Sequence, residues 1–349
     1  MKFFVKSQAP DHSESVGRKE KDPLFTDSRL HTSLQDLIAL RPHAHGFSLN
    51  PAGAIKNQFI GRHGSKHRGR GLNFEELAHY QHGDDIRTMD WKVTNRTGKP
   101  HVRVFTEERE RPVMLACDQR INMLFGSQHK LKSVLASEVL ALLAWRQLAL
   151  SDAIATLVFN DESIFESRPH RSQQMVIKDL AVLAEHNRAL LYGQRSHSEP
   201  QAKKIGLSLV LDKIIRLCPG NHLLVIISDF HDYNQHCRQQ IKSLALKNDV
   251  FVALINDPLE HELSEDVQFV ASDGKVQLAI DTADPALARS FKQHQRLRIE
   301  RIRSEINSAG VTLMDLSTIS DSHQQLRRCI PENSTLSVKN RQLSSVENG

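Results

Sequence analysis

Long apolar runs are missing from this chain of 349 residues. Stretches such as Val139 to Trp145 stop far short of the roughly 20 residues a helix needs to cross a bilayer. No membrane span is expected. The opening MKFFVKSQ has an apolar patch only from Phe3 to Val5, too short for the core of a secretory signal, so the expected location is the cytoplasm. Paired cysteines are missing as well: Cys117, Cys218, Cys237 and Cys329 are scattered, which excludes a sequence-readable zinc site or disulfide framework and leaves reduced structural thiols. No glycine-rich loop ends in the Lys-Ser/Thr pair of a nucleotide-binding phosphate loop, and neither Ser208 nor Ser228 sits in a recognisable nucleophile elbow. Internal repeats and low-complexity blocks are also absent.

What is present is a moderately basic chain of formal charge +5 with nineteen histidines, which permits acidic partners or nucleic acid without specifying either. Residues 1–28 and 331–349 are polar and lack apolar periodicity, so both ends are expected to be mobile. Between Leu30 and Leu40 the spacing of Leu34, Leu37, Ile38 and Leu40 predicts a short amphipathic helix closed by Pro42. From Pro112 onward, strand and helix signals alternate. Strands are expected at Pro112 to Cys117, Ile154 to Phe159, His222 to Asp229, Val250 to Ile255 and Val311 to Leu316. Helices are expected over Leu131 to Leu150, Ile205 to Leu217, Gln235 to Leu246, and a long basic segment between Pro285 and Gly310. Such alternation predicts a doubly wound, mostly parallel α/β domain over 112–330, preceded by an extension over 29–111.

The extension carries the most specific pattern in the chain: Gly69, Gly71, Phe74, Glu76 and Leu77, then Tyr80, Gly83, Asp84, Asp85, Arg87, Asp90 and Trp91. In residue type and spacing this resembles the signature of the bacterial "domain of unknown function 58" family: a Gly-rich basic turn, a Phe-Glu-Glu-Leu helix start, and Tyr-x-x-Gly-Asp-Asp-x-Arg-x-x-Asp-Trp. Asn73 stands where an acidic residue is usual and His79 where arginine is usual. The resemblance implies a von Willebrand factor A-like fold for the α/β domain. It also implies association with a MoxR-type AAA+ ATPase, as its adaptor or co-chaperone in assembly or activation of client proteins.

A von Willebrand factor A domain ends its first strand in Asp-x-Ser-x-Ser, completed by a threonine and a later aspartate to hold a divalent cation, the metal-ion-dependent adhesion site. Here the first strand continues as Asp118, Gln119, Arg120, Ile121, Asn122, with arginine and asparagine in place of the serines. Asp229 falls where the later aspartate is expected and Asp232 follows it; Ser196 and Ser198 are the candidates for the threonine. If Mg2+ or Mn2+ is held, Asp118, Asn122 and Asp229 are its candidate ligands. Arg120 argues for the alternative, a degenerate site in which Asp118 and Asp229 cap helices or pair with the guanidinium.

Asp84, Asp85 and Asp90 admit two readings, an acidic catalytic cluster or a turn and helix cap with Arg87 pairing a carboxylate. His63 and His67 lie among glycines that argue against the helix a zinc pair would need, while Arg62, Lys66, Arg68 and Arg70 form a basic loop without interleaved aromatics. The leading expectation is a non-enzymatic interaction module without a cofactor. Its partner-facing residues are Asp118, Arg120, Asn122, Asp229 and Asp232, with Arg68, Arg70, Asp84, Asp85 and Arg87. The competing classes are a metal-dependent phosphoryl or nucleic-acid hydrolase and a nucleic-acid binder. Gly61 to Arg111 is expected to be inseparable from the α/β domain, with Trp91 largely buried and Trp91→Ala costing roughly 3 to 5 kcal/mol.

Overall fold

The computed structural model describes residues 27–49, 72–81, 86–107, 111–193, 204–261, 268–272, 277–281 and 285–332. The terminal segments expected to be mobile lie almost wholly outside these residues. Contacts divide the chain into two units, one holding the chain up to Leu49 and from Arg111 onward, the other Asn50–Glu110. The division differs from the expected one, because the N-terminal helix belongs with the α/β unit and the signature segment forms a unit of its own.

Helix α1 (Leu34–Ala39) begins at Ser33, whose hydroxyl accepts from the Asp36 amide while the Asp36 carboxylate accepts from the Ser33 amide. Its one fully buried side chain, Leu37, joins the core, and Pro42 sits in the 3-10 turn that follows. In the other unit, β1 (Leu72–His79) is followed by α2 (Trp91–Thr97) and β2 (His101–Glu107), and the two strands pair antiparallel. The Phe-Glu-Glu-Leu segment is therefore a strand, and the helix start expected there is corrected. Phe74 lies opposite Phe105, and the register slips between Phe74 and Glu76. Such a slip leaves one residue of the strand unpaired and bends the strand locally. Asp90 caps α2, accepting from the amides of Lys92 (3.0 Å) and Val93 (3.1 Å). Trp91 is 61% exposed, which overturns the expected burial. It opens a seven-residue helix that has no buried side chain, so no apolar face exists there to receive it.

The α/β unit runs β3 (Val113–Asp118), α3 (Lys132–Ala149), β4 (Ile154–Phe159), β5 (Ile164–Glu166), α4 (Gln173–Gly193), α5 (Leu207–Leu217), β6 (Leu223–Ser228) and α6 (Gln235–Ala245). It continues through β7 (Asp249–Asn256), α7 (Pro258–His261), a hairpin of β8 (Gln268–Ser272) and β9 (Gln277–Asp281), α8 (Pro285–Ser308), β10 (Thr312–Ser317) and α9 (Ser322–Cys329). Six strands form one sheet in the order β10-β7-β6-β3-β4-β5, parallel throughout except for the antiparallel edge strand β5. Counted in chain order, this is the 3-2-1-4-5-6 arrangement of doubly wound sheets, with its switch point between β3 and β6.

Period-two alternation builds a core on each face of the sheet. Leu115 and Cys117 of β3, with Val225 and Ile227 of β6, face α1, α3, α4 and α9; Met114 and Ala116, with Leu224 and Ile226, face α5, α6 and α8. β3, β4 and β6 are buried at every position, as strands covered on both faces must be. Helix α3 is buried on almost every side, matching its apolar circumference. Among the described elements, α2, α4, β5, α7, the β8–β9 hairpin and α9 were not anticipated.

Candidate functional site

The carboxyl ends of β3 and β6 lie side by side, since Cys117 pairs with Ile227, and the chain places Asp118 at one end and Asp229 just past the other. Asp118 is fully buried and Asp229 is 1% exposed. Each is engaged by a different internal cation. Arg120 donates to Asp118 through Nε (3.0 Å to Oδ1), Nη2 (2.7 Å to Oδ2) and its backbone amide (2.9 Å to Oδ1), and the Ser228 hydroxyl donates to Oδ2 at 2.7 Å. From Nη1 the same guanidinium reaches Asp232 Oδ2 at 2.8 Å, and its plane lies over the Phe159 ring.

Lys132 is the second cation. It is 2% exposed at the start of α3, and Nζ donates to Asp229 Oδ2 and to Glu260 Oε1, both at 2.7 Å. The other oxygen of Asp229 accepts from Asn122 Nδ2 (2.6 Å) and from the His231 amide (3.0 Å). The remaining loops of this edge close in the same way. Asp161 accepts the Ile121 amide at 2.7 Å, and Asp257 accepts from the Ser127 amide and the Thr318 hydroxyl. Phe230, directly after Asp229, holds a left-handed φ of 52°, a conformation that costs energy in a bulky residue and persists only where its surroundings fix it. Those surroundings are the Ser228 hydroxyl on its amide (3.0 Å) and the Arg298 guanidinium on its carbonyl (3.3 Å).

Protonation follows from these contacts. Burial raises the carboxyl of Asp118, and the facing Arg120 works against it. Burial alone would lower Lys132, but Asp229 and Glu260 outweigh it and hold the ammonium above its usual range. Burial would raise Asp232, and Arg120 overcomes this to hold the carboxyl below the usual value. The thiols of Cys117, beneath the site, and of Cys218 are pushed up to about 12 by burial, which removes them as nucleophiles near neutral pH.

A hard divalent cation needs several oxygen ligands with free lone pairs. Both oxygens of Asp118 already accept from Arg120, both oxygens of Asp229 are engaged, and Asn122 directs its amide nitrogen, not its oxygen, toward Asp229. Among the described residues, no three His, Cys, Asp or Glu side chains converge as metal ligands. The residues as arranged do not fit such an ion.

Of the residues singled out in the sequence, Asp118, Arg120, Asn122, Asp229 and Asp232 are brought together. Asp118, Arg120 and Asp229 are buried, so these three side chains do not present themselves to a partner and that part of the expected interface is corrected. Exposed positions on this edge include Gln128, His129, Glu162, His231 and Asn234. Arg87 is exposed in the signature unit, on the 3-10 turn Ile86–Thr88. Arg68, Arg70, Asp84, Asp85, His63, His67, Ser196 and Ser198 lie outside the described residues. Lys132 was missed, although a lysine at the head of a helix apolar on all sides has no route to solvent and must find a buried carboxylate.

Residues 76–301 match the family described as protein of unknown function DUF58. The chain belongs to that family. This DUF58 chain is 26% identical over 254 residues to uncharacterized proteins of Mycobacterium bovis and of Mycobacterium tuberculosis, covering 72% of this chain and 77% of each relative. Among solved structures it is similar to a conserved hypothetical protein, BatB, from Bacteroides thetaiotaomicron. The TM-score is 0.35 and the identity 11%, over 68% of this chain and all of that one.

Proposed function

We propose that this DUF58 chain is a non-enzymatic interaction module of the cytoplasm, acting as adaptor or co-chaperone of a MoxR-type AAA+ ATPase toward a client protein. One observation carries the non-enzymatic part: at the switch point, where a doubly wound sheet places its ligand, the two site aspartates are buried and consumed by Arg120 and Lys132. A catalytic acid, base or metal ligand needs a reactive lone pair or proton facing substrate, and here those atoms face other side chains. What such an edge retains is a rigid set of loops, suited to recognition by shape. The ATPase is implied by the family resemblance of the signature segment. The location is in keeping with the absence, among the described residues, of any helix long and apolar enough to cross a membrane.

Co-purification of the full chain with the MoxR-type ATPase, in ATP and in ADP, tests the reading. Retention is expected in at least one nucleotide state and is expected to weaken in His231→Glu and Glu162→Lys, which alter the exposed edge without touching the ion pairs. Failure to associate in either state removes the adaptor role and reopens the hydrolase reading.

A further inference from the structure

Helix α8 carries six lysines and arginines against two glutamates, and two of those cations are matched by carboxylates. Arg296 pairs with Glu300, Arg303 with Asp315, and Arg238 of α6 lies 3.9 Å from Glu305. Arg298 and Arg301 are different. Their hydrogen bonds go to the Gln295 side chain and to the backbone carbonyls of Asp229, Phe230 and Tyr233, and among the described residues neither meets a carboxylate. Both line an open hollow of about 410 Å³ with His294 and Leu297, and Leu297 is 57% exposed. Arg301 also borders a second hollow of about 300 Å³ with Gln235, Arg238 and the carboxylate of Glu305. The buried stripe Ile299, Ile302 and Ile306 faces the core, so α8 is anchored and this outer face is held firm.

We infer that this hollow is a docking site for an acidic peptide segment of a partner protein, carboxylates meeting Arg298 and Arg301 and an apolar side chain covering Leu297. Guanidinium forks are matched in charge and geometry to carboxylates, and two unmatched guanidiniums beside an exposed leucine complement an acidic segment with an apolar residue. Among the described residues no Phe, Tyr or Trp lines either hollow and His294 is the one ring there, which leaves little for base stacking. Arg298 also fixes the Phe230 carbonyl, so an occupant of the hollow would sit against the loop that carries Asp229. The inference goes beyond the adaptor reading and does not depend on it.

Fluorescence polarisation of a labelled Glu-Glu-Leu repeat peptide with the full chain tests the site, with polyglutamate and single-stranded DNA of equal length as comparisons. The Glu-Glu-Leu peptide is expected to bind more tightly than either comparison. Arg301→Glu and Leu297→Ser are expected to weaken it, the first by about ten-fold or more, as loss of an interface anchor does. Both variants should keep the wild-type thermal midpoint, since both side chains are exposed. No binding by the wild type, equal binding of polyglutamate or DNA, or unchanged affinity in both variants overturns the proposal. Binding that appears only after Glu262, Glu265 and Asp266 are changed to glutamine also overturns it, by identifying the occupant as the chain's own acidic stretch. ATPase co-purification that survives in Arg301→Glu while peptide binding is lost separates this site from the adaptor reading.

Discussion

Replacing Lys132 with methionine keeps the aliphatic stem in place and deletes only the ammonium. Asp229 then remains 1% exposed with its Oδ2 partner gone, while Glu260, at 14% side-chain exposure, can turn toward water. Removing one member of a buried ion pair costs about 3 to 5 kcal/mol, because the abandoned charge stays desolvated. Asp229 retains Asn122 and the His231 amide, so the lower end, about 3 kcal/mol, is expected. Asp229→Asn in the same chain removes the orphaned charge. The double variant should therefore be more stable than Lys132→Met alone, with a coupling energy of about 2 kcal/mol or more. Urea unfolding at constant m-value measures all three variants. A cost below about 1 kcal/mol for Lys132→Met, or simple additivity in the double variant, refutes the reasoning that the ion pair carries a large desolvation penalty.

Three further outcomes are expected. Calorimetric titration with Mg2+ or Mn2+ should show weak or no binding by the wild type, whereas Arg120→Ser combined with Lys132→Met should bind measurably, since Asp118, Asp229 and Ser228 then face one another without cations; tight wild-type binding lost in Asp118→Ala overturns the assignment. Trp91→Ala should change stability by no more than about 0.5 kcal/mol, the range for exposed positions, and an unfolding free energy lowered by several times that would show the indole to be buried after all. Lys132 is held above its ordinary value of 10.5, so the stability it contributes is fully present below that pH and is lost as pH rises through the folded value. The difference in unfolding free energy between wild type and Lys132→Met should thus be flat up to about pH 10 and shrink above it; a difference that shrinks already near neutral pH contradicts the ion pair.

The sequence made the sheet legible because β3, β4 and β6 are short, unbroken apolar runs between turn residues, a pattern that survives without tertiary information. Arg120 at a ligand position was readable for the same local reason, since it stands two residues from the carboxylate it pairs. Lys132 and Glu260 were not readable: they are 128 residues apart and meet only because β7 returns beside β6. The Phe-Glu-Glu-Leu segment was misread because its glutamates suit a helix, and pairing with β2 overrode that propensity. Trp91 was misplaced by treating a large aromatic as an anchor, although the helix it opens has no apolar face.

Arg120 and Lys132 are attached to the same backbone as the carboxylates they meet, so their concentration beside Asp118 and Asp229 is set by chain geometry and not by the composition of the surrounding solution. A dissociable ion leaves when its free level falls or a chelator competes; a tethered guanidinium has nowhere to go. The loop edge is therefore expected to keep its closure in the presence of chelators and across swings in cation supply, and to change only with a change of codon.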